Sequence, residues 1–242
     1  MKKSIYHQLG VLALALSVAA CGNQNTSTSE NVSEEVKETM ELGHELVFEN
    51  DFAKVMKVSL SPEASQPSHK GEDRIIYSLN DYTIEWEEQG ENLGEKSWKK
   101  GDVHFHKAGD HAVKNKGTTT AEWLVFTKKK AELPDCDENS VDNDVHSVSS
   151  EYTEVLIEND LFKVTEVNLP QGASIPIHAG INRMIYSVSD YQIAYESDKE
   201  GKSNKKFSAG EIHWHDACQH ALENIGETEA KFIVISFKRV GS

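Results

Sequence analysis

Positive charge is scarce in this chain. Lys and Arg number 25 against 40 Asp and Glu, a formal net charge of −15 over 242 residues. Such an excess of acid repels phosphate backbones, so nucleic acid is not an expected partner. Cysteine is scarcer still, with three in all, and no Cys-x-x-Cys pair is present to build a zinc finger. No glycine-rich phosphate loop and no Ser-His-Asp order stands out, so nucleotide-binding and hydrolase readings have no support. No long amphipathic helical pattern is found within the strand-rich segments. The one sustained apolar run, Leu9 to Ala20, is shorter than the roughly 20 residues that a membrane-spanning helix needs.

That run has a targeting character. Lys2 and Lys3 precede it, and residues 1–20 read as a signal peptide to be removed. The run ends Leu16-Ser17-Val18-Ala19-Ala20-Cys21-Gly22, which resembles a bacterial lipobox. The resemblance implies lipidation of Cys21 and a membrane partner through that lipid. Gly22 in place of an Asp after the cysteine implies the outer membrane, facing the periplasm of a Gram-negative cell. Removal of two lysines leaves 25 − 2 = 23 basic residues against 40 acidic ones, a mature charge of −17. Residues 21–42, rich in Asn, Ser, Thr and Glu, are expected to form a flexible tether.

Beyond the tether the chain repeats itself. Residues 49–130 return as 158–239 at an offset of 109, and about 34 of the 82 aligned pairs are identical. Shared apolar positions alone would indicate a shared core. Here the paired residues include His69 with His178, Arg74 with Arg183, Tyr77 with Tyr186, and His104, His106 and His111 with His213, His215 and His220. Two similar sites are therefore expected, in domains spanning 43–130 and 151–242. The stretch 131–150 between them holds six acidic residues and reads as a polar linker. Cys136 lies in it and Cys218 in the second repeat; in an oxidising compartment they either pair or stay free.

Each repeat is built from short β-branched and aromatic segments, such as Phe52 to Leu60, Arg74 to Leu79, Tyr82 to Trp86 and Trp123 to Thr127, separated by Pro, Gly, Asn and Asp clusters. This pattern predicts an all-β sandwich or small barrel, twice. Gly101 to Asn115, with His104, His106 and His111, resembles the second motif of the cupins, and Gly210 to Asn224 resembles it again. Pro62 to Tyr82 and Gln171 to Tyr191 resemble the first motif in altered form. The resemblance covers about 80 residues per copy and implies a bicupin of two tandem jelly-roll barrels.

The resemblance also implies a metal centre, and here the sequence departs from it. Aligned to the family's His-x-His, Glu and His ligands, this chain offers Pro67, His69, Arg74 and His111, then Pro176, His178, Arg183 and His220. An Arg in place of a carboxylate puts a fixed positive charge where a cation would sit. His104, His106 and His111, with His213, His215 and His220, are the alternative ligand set for Fe, Zn, Ni, Mn or Cu. It requires His104 and His106 to point into the barrel, whereas Val103 and Phe105 are apolar and compete for that face.

The same pocket read without metal gives Arg74, Tyr77 and His69, or Arg183, Tyr186 and His178, as binders of a small anion. Against that, Arg74 could simply pair with Asp81 or Asp102. Three functions follow. The first is a lipid-anchored binding module for a small anionic molecule, the second a metal-dependent isomerase, lyase or dioxygenase, and the third a structural envelope protein, since cupins commonly dimerise. The fold by itself does not choose among them.

Overall fold

The computed structural model describes residues 42–134, 136 and 143–239. The leader, Cys21 and most of the tether lie outside the described residues. The first repeat forms β1 (Leu42–Glu49), β2 (Ala53–Leu60), β3 (Ser65–Gly71), β4 (Arg74–Ser78), β5 (Tyr82–Glu88), β6 (Glu91–Trp98), β7 (Val103–His106), β8 (Gly109–Asn115) and β9 (Ala121–Lys128). After a four-residue helix α1 (Val145–Val148), the second forms β10 (Thr153–Glu158), β11 (Phe162–Leu169), β12 (Ser174–Gly180), β13 (Arg183–Ser187), β14 (Tyr191–Ser197), β15 (Gly201–Phe207), β16 (Ile212–His215), β17 (Cys218–Asn224) and β18 (Ala230–Phe237). The offset of 109 thus holds for the start of every strand from β2 to β5 and from β7 to β9.

Each repeat folds into two facing sheets. A five-stranded sheet runs β1-β2-β9-β4-β7 and a four-stranded one β3-β8-β5-β6, with β10-β11-β18-β13-β16 and β12-β17-β14-β15 as their counterparts. All pairings are antiparallel. The expected all-β architecture, two tandem cupin barrels, is what the chain adopts. Asn115 and Asn224 tie the barrels at the same corner: each donates through Nδ2 to a β2 or β11 carbonyl, Leu60 at 2.7 Å or Leu169 at 2.9 Å.

Successive residues of a strand face opposite sides, and in the central strands of the five-stranded sheets, such as β4 and β13, both sides are buried. In β4 all five residues are buried. Ile76 faces the core of barrel 1 with Val58, Leu60, Ile84 and Trp123. Ile75 and Tyr77 face the other way, into a cluster that also holds Phe126, Val164, Met184, Tyr186, Ile235 and Phe237. That cluster draws on both repeats, so the outer faces of the two five-stranded sheets pack against each other. Tyr77 and Tyr186 meet there with ring centroids 4.9 Å apart, Phe52 stacks on Trp214 at 5.5 Å, and Phe105 approaches Phe162 at 6.0 Å.

The linker is not a free polar connector. Leu133 is buried in the seam between barrels, the Pro134 carbonyl accepts from Asn182 Nδ2 at 2.7 Å, and Cys136 is disulfide-bonded to Cys218. Helix α1 is capped by Asp144, whose carboxylate also lies 2.6 Å from Lys163 Nζ. Val145 inserts into the core of barrel 2.

Candidate functional site

The register of the five-stranded sheet aligns a row of residues on the inner face of each barrel. Lys54 of β2 pairs with Thr127 of β9, Thr127 with Arg74 of β4, and Arg74 with His106 of β7. In barrel 2 the row is Lys163, Ser236, Arg183 and His215. From the opposite sheet, His69 pairs with His111 and His178 with His220; the imidazole centroids are 4.1 Å apart in both barrels.

The guanidinium groups sit between these sheets. Arg74 and Arg183 are 6% and 4% exposed. Nη1 of Arg74 donates to the carbonyls of Glu72 and Lys107 at 2.9 and 3.3 Å, and Nη2 to His111 Nε2 at 3.0 Å. Arg183 repeats this with Ile181, Asp216 and His220 Nε2 at 3.1, 3.3 and 3.0 Å. Room for each fork comes from a glycine. A Cβ on Gly71 or Gly180 would overlap the Nη1 of Arg74 or Arg183, so these two glycines are required by close approach rather than by backbone conformation.

No carboxylate among the described residues lies within ion-pair distance of either arginine; Glu88 and Asp73 act on Arg74, and Asp216 and Glu200 on Arg183, only from further off. Asp81 lies 2.8 Å from Lys99 Nζ instead, and Asp102 accepts from the Lys99 backbone at 2.7 Å. His104, His106, His111, His178, His213, His215 and His220 add no charge. Burial, followed by neighbouring positive charge, holds His111 down to about 4, and burial holds His104, His178 and His213 down to about 4. His106 falls to about 3 and His215 to about 2, burial again being the largest cause; His220 lies well below its usual value for the same reason. Burial lowers even the Arg183 guanidinium, to about 10, against the opposing pull of Tyr195, Asp216 and Glu200.

His104, His106, His213 and His215 do point inward. The apolar residues between them, Val103, Phe105, Ile212 and Trp214, pack into the seam between barrels. That seam is what sequence periodicity could not reveal. His104 stacks on Trp98 at 3.7 Å and His213 on Phe207 at 4.2 Å, while Trp86 covers His106 and His111 at 4.4 and 5.2 Å. The Nδ1 atoms of His104, His111 and His213 are buried with no partner. Tyr77 and Tyr186, expected in the pocket, are not there. They follow Arg74 and Arg183 by three residues, an odd number, and so project from the opposite face, where they meet each other.

The ligand atoms of the two histidine triads do not converge within 4.8 Å of one another. Among the described residues the one group of three whose ligand atoms converge is Cys136, Asp198 and Cys218, and its two sulfurs are bonded to each other. At the place where the resemblance implies a metal, the Arg forks direct N–H groups at the Nε2 atoms of His111 and His220. Those lone pairs are occupied, and the fixed positive charge repels a cation. The residues present do not fit a divalent metal there.

No protein-family model matches the chain, and no curated protein matches it. Solved structures do. AerE from Microcystis aeruginosa superposes with a TM-score of 0.61 at 16% identity, over 84% of this chain and 96% of that one. A cupin 2 conserved barrel domain protein from Leptotrichia buccalis gives 0.52 at 16%, over 82% and 89%. The fold is that of a bicupin. Oxalate decarboxylase from Bacillus subtilis, a protein with Mn(II) centres, gives 0.54 at 13%, over 79% and 70%. At such identities the likeness concerns the barrels, not the chemistry within them.

The two barrels of this bicupin differ in access. Barrel 1 opens through a mouth of about 800 Å³ flanked by His44, Lys54, His69, Lys70 and Lys130, with Arg74 and His111 in its wall. In barrel 2 the corresponding space is closed by Asp144 and Val145, and a cavity of about 50 Å³ is left against Arg183, His178, His215 and His220. Lys54, Lys163, Gly71, Gly180 and Asp144 were not singled out from the sequence. The repeat held a signal for four of them, since Lys54 and Gly71 recur as Lys163 and Gly180.

Proposed function

We propose that this bicupin binds a small anion in its barrels, with Arg74 and Arg183 as the anchoring cations. The observation that carries this reading is a buried guanidinium in each barrel with no carboxylate partner among the described residues. An uncompensated buried charge costs several kcal/mol, and a bound carboxylate, sulfate or phosphate offsets that cost through charge-assisted hydrogen bonds. Neutral His178 and His220 in barrel 2, and neutral His111 with His69 in barrel 1, are in place to complete the polar lining. A cavity of about 50 Å³ in barrel 2 suits a few non-hydrogen atoms, whereas barrel 1 admits larger molecules from solvent.

The leader and Cys21 support placing this binding function at the cell envelope, on a lipid anchor. The metal-dependent isomerase, lyase or dioxygenase has the Arg forks against it, and a structural envelope role leaves the buried charges unexplained. Calorimetric titration of the mature chain with acetate, formate, sulfate and phosphate tests the reading. We expect micromolar to millimolar binding of at least one of them, lost in the double variant Arg74→Met and Arg183→Met. Absence of binding by all four, or binding indifferent to both substitutions, overturns it. The anchor is tested separately: labelled fatty acid is expected to enter the wild-type chain and not the Cys21→Ser variant.

A further inference from the structure

The internal repeat supplies a comparison within one molecule. At the mouth of barrel 2, Lys163 lies 2.6 Å from the Asp144 carboxylate and 3.8 Å from that of Glu158. Its counterpart Lys54 lines the mouth of barrel 1, and no carboxylate among the described residues lies within ion-pair distance of it. Glu49, the counterpart of Glu158, is engaged by Lys129 at 3.0 Å as Glu158 is by Lys238 at 2.7 Å, so the difference between the mouths lies in Asp144. Barrel 1 therefore presents a second cation that its twin has already neutralised.

The position of that cation is set by the sheet. Lys54 and Arg74 both pair with Thr127, from either side, so they occupy one row on the inner face, two strands and roughly 10 Å apart at Cα. Thr127 stands between them with its side chain on the same face. The Asp144 carboxylate in barrel 2 marks where an anionic group rests when it bridges this row at its outer end.

We infer that barrel 1 recognises a linear dianion, one acidic group on Arg74 at depth and the other on Lys54 at the mouth, and that Asp144 occupies the second position in barrel 2. This deepens the anion reading above and rests on it. Barrel 2 is thereby restricted to a small monoanion, because its mouth is filled by α1 and its outer cation is satisfied. Barrel 1 selects for chain length and for two charges.

The probes are glutarate and valerate, which share a carbon count and differ by one carboxylate. Titrated into the mature chain at low ionic strength, glutarate is expected to bind once per chain and roughly tenfold or more tighter than valerate, through a second charge-assisted contact. Lys54→Met should abolish the difference between glutarate and valerate. Asp144→Asn keeps a competent helix cap while removing the charge; α1 still fills the mouth, so glutarate should stay at one site, while formate should bind barrel 2 several-fold tighter through the freed Lys163. Equal affinity for both probes, unchanged by Lys54→Met but lost in Arg74→Met, overturns the dianion inference and leaves the anion reading standing. Binding of neither probe overturns both. Unchanged formate affinity in Asp144→Asn, with the fold retained by near-ultraviolet circular dichroism, overturns the assignment of Asp144 as the occupant.

Discussion

Nη2 of Arg183 lies 3.0 Å from Nε2 of His220. The same contact joins Arg74 to His111, also at 3.0 Å. Because a guanidinium has no acceptor, it can only donate, so each ring offers it a lone pair, at Nε2 in His111 and at Nε2 or the 3.3 Å Nδ1 in His220. The arginine and any metal ion at this histidine would thus compete for a ring lone pair.

This competition predicts the metal content. The wild-type chain, purified without a histidine tag, should retain no stoichiometric first-row metal by elemental analysis, before or after incubation with manganese, iron, nickel and zinc. Arg74→Glu restores a carboxylate beside His69 and His111, and it should gain about one ion per chain. Stoichiometric metal in the wild type would show that the fork swings away from His111.

The seam between barrels should dominate stability. Tyr77 is 4% exposed and packs on Tyr186, so Tyr77→Ala should cost about 3–5 kcal/mol, in the range of other buried aromatic truncations. Denaturant unfolding measures it. A loss below about 1 kcal/mol would mean that the barrels hold together without this contact.

Acid should destabilise the fold through its buried histidines. Folded values near 4 for His104, His111, His178 and His213 lie below the unfolded value of roughly 6.5. Between those limits the unfolded chain binds more protons, so stability is fully present above about pH 6.5 and is lost as pH falls toward 4. Each such group contributes at most about 1.4 kcal/mol per pH unit within that window. A melting temperature flat from pH 7 to pH 4.5 would contradict the neutral state assigned to them.

Cys136 and Cys218 close a loop across a sequence separation of 82. Loss of the bond in Cys136→Ser should cost about 4 kcal/mol on chain-entropy grounds. It should also raise solvent access to barrel 2, because the bond fixes the linker that leads to α1. Proteolysis between 131 and 150, compared in the presence and absence of reductant, measures the second effect. Equal cleavage rates would place the hold on α1 in Lys163 and Val145 alone.

The sequence by itself determined a great deal here, because duplication makes it its own alignment. The period of 109 fixed where each strand recurs, the alternation of apolar residues fixed strands over helices, and the pairing of Arg74 with Arg183 marked the site. An arginine kept in both copies amid apolar strand residues must be buried, and its charge then needs an answer. Gly71 and Gly180 were legible too, had the repeat been read for close approach.

Only the tertiary structure decided which face of each strand was inside. A period of two is symmetrical, and in β4 and β7 both faces carry residues that bury well, so nothing local distinguishes Tyr77 from Arg74 or Phe105 from His104. The choice was made by a second five-stranded sheet more than 100 residues away, which covers one face and leaves the other to the barrel. The same holds for Asp144, whose carboxylate reads as one more charge in an acidic linker until the fold brings it to Lys163.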